Sequence, residues 1–476
     1  LRRSGAIAAV SVLATLPYVS RLGHPSLYAD DIVRIAFERN MPLGQRLIQP
    51  FNEHLAPLFE LVSSLGWLAA QGRLTLAPLT YTIASFLPFL FVLIVLGLLI
   101  ERETRSPFAA CVGVLIAGLV PIHAEVVGWY SASSFTWALL ATLMCQLCMR
   151  RKGVFFGVLA ALAALAAPAF SAIGLLAGPA GAARALAGKR WTLAVFPLLG
   201  TAAFVLWTIV MNHHMVNQQE AAKSWSAAAQ SFARAPVGVL ILGILGCGDT
   251  SARPQLASDY LGFALFIGAS LLAFRRSRTE STRAMIACGC VLVLGGYAIV
   301  LGARAGNSAA NPLPIQRYQL FPVFGFVLLI APLVAELGNR LAAANNVRRQ
   351  VLIFALIGVF LLVIHSARFR RYRHFYRFPE QAATLRALVE VELMAERQGI
   401  SRDALIATLP NARPVWFDHP TMSPSMLVGP LTSRATGNET STEGFLSRLN
   451  AADRAALAAT KAPSLRTSAS GSSTTR

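Results

Sequence analysis

The sequence predicts an all-α integral membrane protein: about eleven transmembrane helices, an outer-face juxtamembrane helix and a mostly helical or disordered C-terminal segment. Three observations carry that prediction. Hydrophobic residues make up 55% of the 476 and charged residues 13%, with a mean hydropathy of +0.56, whereas a soluble domain carries roughly a quarter charged residues. Apolar runs recur at about the 17–25-residue length that spans the hydrocarbon core of a bilayer. The cations cluster on alternate connections between those runs. This composition excludes a soluble enzyme, a disordered chain and a disulfide-built secreted domain. The formal charge of +20 punctuates apolar runs as a topology signal does, so no nucleic-acid partner is expected.

In chain order the expected spans are 5–20, 76–100, 107–121, 132–149, 153–167, 169–185, 191–211, 258–274, 284–302, 321–338 and 350–366. Each is an apolar run that lipid forces into a helix, because hydrocarbon offers no partner to an open backbone. The stretch from Gly153 to Ala187 is too long for one span, and Pro168 predicts a break into a hairpin. With the N-terminus inside, the inner connections up to residue 366 hold 17 cations and 4 acids, against 10 and 9 on the outer ones. That asymmetry satisfies the positive-inside rule.

It does so only if Phe51–Ala70, which contains Glu53, His54 and Glu60, lies on the outer interface as an amphipathic helix instead of crossing. Val237–Gly246 is kept from crossing by the same argument. The C-terminus then falls outside, despite ARFRRYRHFYRF just after the last span, which resembles an interfacial anchor on anionic lipid. The expected division is a polytopic domain over 1–366 and a soluble segment over 367–476, disordered from about 431. Of the six cysteines only Cys247 is near a loop; the other five, including the Cys145–Cys148 pair, lie inside apolar runs and read as small packing residues.

The membrane part has 13 acids, and a charge near hydrocarbon is costly enough to ask what each is for. Glu101, Glu103, Glu280 and Glu336 sit beside arginines on inner loops and read as solvated. The outer loop after the first span opens with Asp30-Asp31. One can cap the helix that IVRIAFERN continues. Adjacent carboxylates also repel, which raises one toward a useful general base. Glu125 stands in the short outer loop PIHAEVVGWYSASSF, where the interfacial aromatic belt accounts for Trp129 and Tyr130 but not for His123 and Glu125. His54, beside Glu53, is either an interfacial polar residue or a substrate-orienting one. Arg317-Tyr318 precedes the span at 321–338; such an arginine snorkels or clamps a lipid phosphate with its forked donors. His213-His214 without a third ligand makes a poor metal site. Nothing in the sequence matches a Walker loop, a Rossmann fingerprint, HExxH or GxSxG.

The order of these features resembles the polytopic glycosyltransferases that take sugar from a polyprenyl-phosphate carrier, the GT-C superfamily, with protein O-mannosyltransferases and the lipid A aminoarabinose transferase as named relatives. The likeness runs through YADD, NEHLAPLFELVSSLGWLAAQG, ERETR, PIHAEVVGWYSAS, ALAAPAFSAIG and IQRYQLFPVFGF, over residues 1–366. It implies Asp30 and Asp31 at the catalytic acidic position. It implies Arg317 and Tyr318 at the carrier phosphate and Glu125 on the acceptor side; Glu53 and His54 are substrate-binding candidates from their own position in the outer loop. Two departures stand out: Asp-Asp where many relatives have Asp-Glu, and Ser131, Ser133 and Ser134 where many carry a further Asp.

The implied activity is transfer of a sugar from a polyprenyl-phosphate donor to an acceptor hydroxyl, by inverting displacement, on the outer face of a bacterial inner membrane. The expected partners are that donor, membrane lipids and a glycan, lipid or protein acceptor. No cofactor is required; a divalent metal is compatible but no pattern indicates one. A transporter or flippase of a lipid or small solute is the alternative. The near absence of charges inside the spans argues against it, because transporters place ionisable groups at mid-bilayer.

Overall fold

The computed structural model describes residues 2–23, 31, 34–35, 38, 41–48, 55–72, 76–211, 225–245, 257–277, 279–304, 316–343 and 347–375. All regular elements among them are helical. They are α1 (Arg2–Gly23), α2 (Leu43–Ile48), α3 (Pro57–Ala69), α4 (Ala77–Thr104), α5 (Pro107–Leu119), α6 (Ala124–Gly128), α7 (Ser134–Arg150), α8 (Val154–Phe170), α9 (Ala177–Ala187), α10 (Trp191–Met211), α11 (Trp225–Arg234), α12 (Ala257–Arg276), α13 (Glu280–Cys290), α14 (Gly296–Arg304), α15 (Leu320–Ala343) and α16 (Val347–Phe375). Six stretches are long and apolar enough to cross a membrane: Ala77–Thr104, Ser131–Arg150, Trp191–Met211, Glu280–Gly302, Arg317–Ala343 and Val347–Phe369. This is the make-up of a multi-pass membrane protein. Other expected spans fall on shorter apolar helices, at Ser4–Val19, Pro107–Leu119, Val154–Phe170 and Ala172–Ala187.

Local chemistry sets the boundaries. Thr104 ends α4, and Ser106 caps α5 by accepting from the Ala109 amide at 3.2 Å, with Pro107 at the first helical position, where its missing N–H costs nothing. The hairpin expected at Pro168 turns at Ser171, whose backbone is extended (φ −162°, ψ 141°). Pro168 lies in the last turn of α8; it has no N–H for the Ala164 carbonyl, which accepts from the Thr201 hydroxyl instead at 3.4 Å. Thr279 caps α13 through the Thr282 amide at 3.1 Å.

The chain forms two compact units. One comprises Leu1–Ser20, Arg46–Leu61 and Ala84–His374; the other comprises Arg21–Gln45, Val62–Ile83 and Phe375–Arg476. Within the first, contacts fix the direction of each helix. Ile7 meets Gly97 and Tyr18 meets Phe89 (ring centroids 5.5 Å), so α1 and α4 run antiparallel. Ala14 meets Gly118 and the Tyr18 hydroxyl donates to Val120 O at 2.8 Å, so α5 runs with α1. Gly113 faces Val327 and Gly338 faces Phe108, which reverses α15 against α5. Gly289 and Gly325 cross backbone to backbone, and Gly296 meets Pro322, reversing the α13–α14 run against α15. One end of this unit therefore carries Tyr18, Val120, Glu125 and Arg317; the other carries Glu103, Arg150, Arg184 and Arg190.

Lipid-facing surface is legible in exposure. Of the most apolar window only 22% is buried in α10 and 11% in α16, against 67% in the stretch ending in α7. Leu199, Leu206, Val351, Val359 and Val363 stand outward, as apolar side chains do when the solvent is hydrocarbon. Small residues line the interior instead: Ala160, Ala164, Ala167, Ala177 and Ala185 pack with Cys145 and Met149. The cysteines among the described residues are free, and Cys145 sits in that apolar cluster, as a packing residue should.

Candidate functional site

The first unit builds a charged centre where two short turns meet. Val120 leaves α5 in extended conformation, Pro121–His123 forms a 3₁₀ turn, and α6 contributes a single turn closed by the Trp129 amide on Glu125 O at 2.9 Å. Opposite, Gln316–Gln319 makes the 3₁₀ turn that leads into α15. Glu125 spans the gap. One carboxylate oxygen accepts the Arg317 backbone N–H at 2.9 Å, and the other accepts the Arg317 Nη1. The Arg317 guanidinium lies over Trp129 (5.2 Å to the ring centroid) and Tyr318 (5.0 Å), so two aromatic faces and a carboxylate hold the cation. The Tyr318 ring in turn meets Phe135 at 5.7 Å.

The Arg317 and Glu125 side chains remain 23% and 13% exposed, so the pair is shielded yet reachable. The carboxylate takes Nη1 and Tyr318 engages the guanidinium as well; with five N–H donors in all, the fork still has donors with which to meet a second anion. Behind the pair, His123 is fully buried between Phe89 (5.3 Å) and Phe324 (5.8 Å). Burial pushes this imidazole down to about 3, offset only in part by the Ala117 carbonyl, so it is neutral at physiological pH.

The second unit holds a separate polar cluster. Asp31, Arg34, Ile35 and Glu38 are all helical, and their spacing puts them on one face. Asp31 is 0% exposed and Arg34 5%. Ser64 donates to Glu38 at 3.2 Å, and Ser63 shares a 3.4 Å hydroxyl contact with the buried Tyr81. Asp31, Arg34 and Glu38 all act electrostatically on the Tyr81 hydroxyl. Gly66 lets that ring in: a Cβ there would stand 2.6 Å from Tyr81 Cε1. A buried carboxylate and a buried arginine one helical turn apart are the kind of interior charges that need pairing or hydrogen bonds.

Of the residues singled out from sequence, Asp31 is thus deeply buried, and Glu125, Arg317 and Tyr318 come together. Asp30, Glu53 and His54 lie outside the described residues, as do His213 and His214. The pairing of Glu125 with Arg317 was not foreseeable, because 192 residues separate them. Trp129 has a role beyond the aromatic belt, as a face for the Arg317 cation, while Tyr130 stacks on Phe59 at 4.9 Å.

A correction concerns the opposite end of the first unit. Glu103 was expected to be solvated, yet its side chain is 1% exposed and it pairs with both Arg150 (3.0 Å) and Arg184. Arg184 is the largest fully buried side chain, with Nε and Nη1 unpartnered. The alanines and glycines of α9 leave room for this long side chain to turn inward, where only a carboxylate can offset its desolvation. Arg150 also donates to Arg102 O at 3.0 Å, and Arg190 to Arg151 O at 3.2 Å, knitting three loops.

No group of three His, Cys, Asp or Glu side chains among the described residues could hold a metal ion. No known family model, characterised protein or solved structure matches this chain.

Proposed function

We propose that this protein is a membrane glycosyltransferase of the GT-C type, which transfers a sugar from a polyprenyl-phosphate donor to an acceptor hydroxyl. The observation that carries the reading is the Arg317 centre. An arginine at the mouth of a long apolar helix is fixed by Glu125 and two rings, with donors of its fork left over for a phosphate. In this reading the acid is taken from the resemblance, not from the geometry of the Arg317 centre: Asp31, or Asp30 beside it, takes the proton of the acceptor hydroxyl. The oxygen attacks the anomeric carbon, the bond from that carbon to the phosphate oxygen breaks, and polyprenyl phosphate leaves with its charge met by Arg317. The carrier is already a good leaving group, so the chemistry requires no cofactor.

The membrane topology that goes with it has about eleven spans, N-terminus in and C-terminus out, in a bacterial inner membrane. The grouping of Arg102, Arg150, Arg151 and Arg190 at one end of the first unit, and of Arg317 at the other, supports that orientation. The test is native mass spectrometry of the gently purified protein. A co-purifying polyprenyl phosphate or its glycoside, lost in Arg317→Ala, is the expected result. Ordinary phospholipid alone in both samples would shift the reading to a transporter.

A further inference from the structure

At the arginine-rich end of the first unit, α8 and α10 start side by side. Gly157 meets Phe196, Gly200 meets Ala161, and the Thr201 hydroxyl donates to Ala164 O at 3.4 Å, so the two helices run parallel and present both N-termini to one place. A cleft of about 500 Å³ opens there, lined by Lys152, Lys189 and Arg190 together with Val154, Trp191 and Thr192. No acid lines it. Glu103 and Glu280 act electrostatically on Arg190 from outside the cleft, but Glu103 is already engaged by Arg150 and Arg184.

The helix ends add to the positive charge. Gly153 supplies no side-chain cap to α8, neither helix has an acid in its first turn, and the first intrahelical bond of α8 is made by Gly157 to Gly153 O. The amides of Val154, Phe155 and Phe156 therefore precede any intrahelical bond, and two parallel helix dipoles direct their positive ends into the cleft. Elsewhere in the same unit, α5 and α13 fill this position with Ser106 and Thr279.

What distinguishes the occupant is the surface beyond the cleft. Val154, Val158, Leu162 and Leu165 form one exposed stripe down α8, at 66, 44, 55 and 36% exposure. Trp191, Val195, Leu199 and Leu206 form another down α10, at 68, 51, 59 and 63%. Both stripes begin at the cleft and stay uncovered along their helices, as apolar side chains do against hydrocarbon. A free anion would use the cations and leave these stripes unused, whereas an amphipathic anion matches both. We propose that this cleft is a binding site for the headgroup of an anionic phospholipid whose acyl chains lie along α8 and α10. The assignment is independent of the transferase reading, since it uses none of that site's residues.

The test is native mass spectrometry of the full chain in detergent, titrated with phosphatidylglycerol and with phosphatidylcholine of the same acyl chains. The wild type is expected to prefer phosphatidylglycerol by about tenfold, in keeping with the pull of basic residues on anionic lipid. Lys152→Gln with Lys189→Asn removes that preference; asparagine suits the positive φ of 55° at position 189. Lys152→Arg with Lys189→Arg keeps it, which separates lost charge from a damaged fold. Arg348→Gln with Arg349→Gln, two exposed cations on α16, also keeps it. Equal binding of the two lipids, equal loss in the Arg348/Arg349 variant, or glycerol phosphate competing as strongly as the lipid would each overturn the proposal.

Discussion

Replacing Glu125 by glutamine tests whether the Arg317 centre is an energetic unit. The variant keeps the shape and an oxygen for the Arg317 backbone N–H, but it removes the charge that faces Nη1. Stripping one partner from a fully buried ion pair costs about 3–5 kcal/mol. Here the two side chains are 23% and 13% exposed, so water re-solvates the orphaned cation in part and the rings of Trp129 and Tyr318 retain some of its stabilisation. The expected loss is therefore lower, about 2–3 kcal/mol. Arg317→Gln should lose a similar amount. The double variant should lose little more than either alone, giving a coupling energy of about 2 kcal/mol. The assay is reversible unfolding of the purified protein in mixed micelles, as a double-mutant cycle. Additivity of the two changes to within about 0.5 kcal/mol would refute the claim that these residues act together.

Three further outcomes follow from the same reasoning. Glu103→Gln should destabilise more than Glu125→Gln, by about 3–5 kcal/mol, because Arg184 is 1% exposed and Glu103 is the carboxylate it meets among the described residues; a smaller loss in the same unfolding assay would contradict the buried pairing. Gly200→Leu should cost about 1–3 kcal/mol by overpacking, since even a Cβ there would stand 2.0 Å from Ala161 O; a thermal melt equal to wild type would mean α8 and α10 are not in close contact. His123 gives a pH signature. Above about pH 6.5 both folded and unfolded forms are neutral, and below it only the unfolded chain takes up the proton. The folded imidazole resists protonation down to about 3. Stability should thus fall as pH drops from 6.5 towards 3, by at most about 1.4 kcal/mol per unit from this group, and His123→Phe should flatten that part of the profile; an unchanged profile would place the imidazole in contact with water.

Composition and run length revealed the all-helical membrane character, and the order of apolar runs anticipated most helix positions, because lipid leaves the backbone few options. Charge asymmetry likewise grouped Arg102, Arg150 and Arg190, which the structure ties together through loop carbonyls. Pairing was not legible. Glu103 with Arg184, and Glu125 with Arg317, are joined across 81 and 192 residues, and local sequence carries no record of which distant charge answers which. The Asp31–Arg34–Glu38 face could have been read from its helical spacing, since three charges on one helical face beside apolar neighbours need partners. The parallel start of α8 and α10 depends on a close approach at Gly200 that an alanine- and glycine-rich run does not single out.

On the proposed reading an aspartate, Asp30 or Asp31, drives transfer from a phosphate-linked sugar. The most direct measurement follows release of polyprenyl phosphate by the protein in lipid nanodiscs, supplied with polyprenyl-phosphate sugars and a membrane extract as acceptor source. Wild type should release the carrier, and Asp30→Asn with Asp31→Asn should retain bound donor while releasing it at least about a hundredfold more slowly, the loss typical of a missing general base. Release at the wild-type rate by that variant would contradict the account.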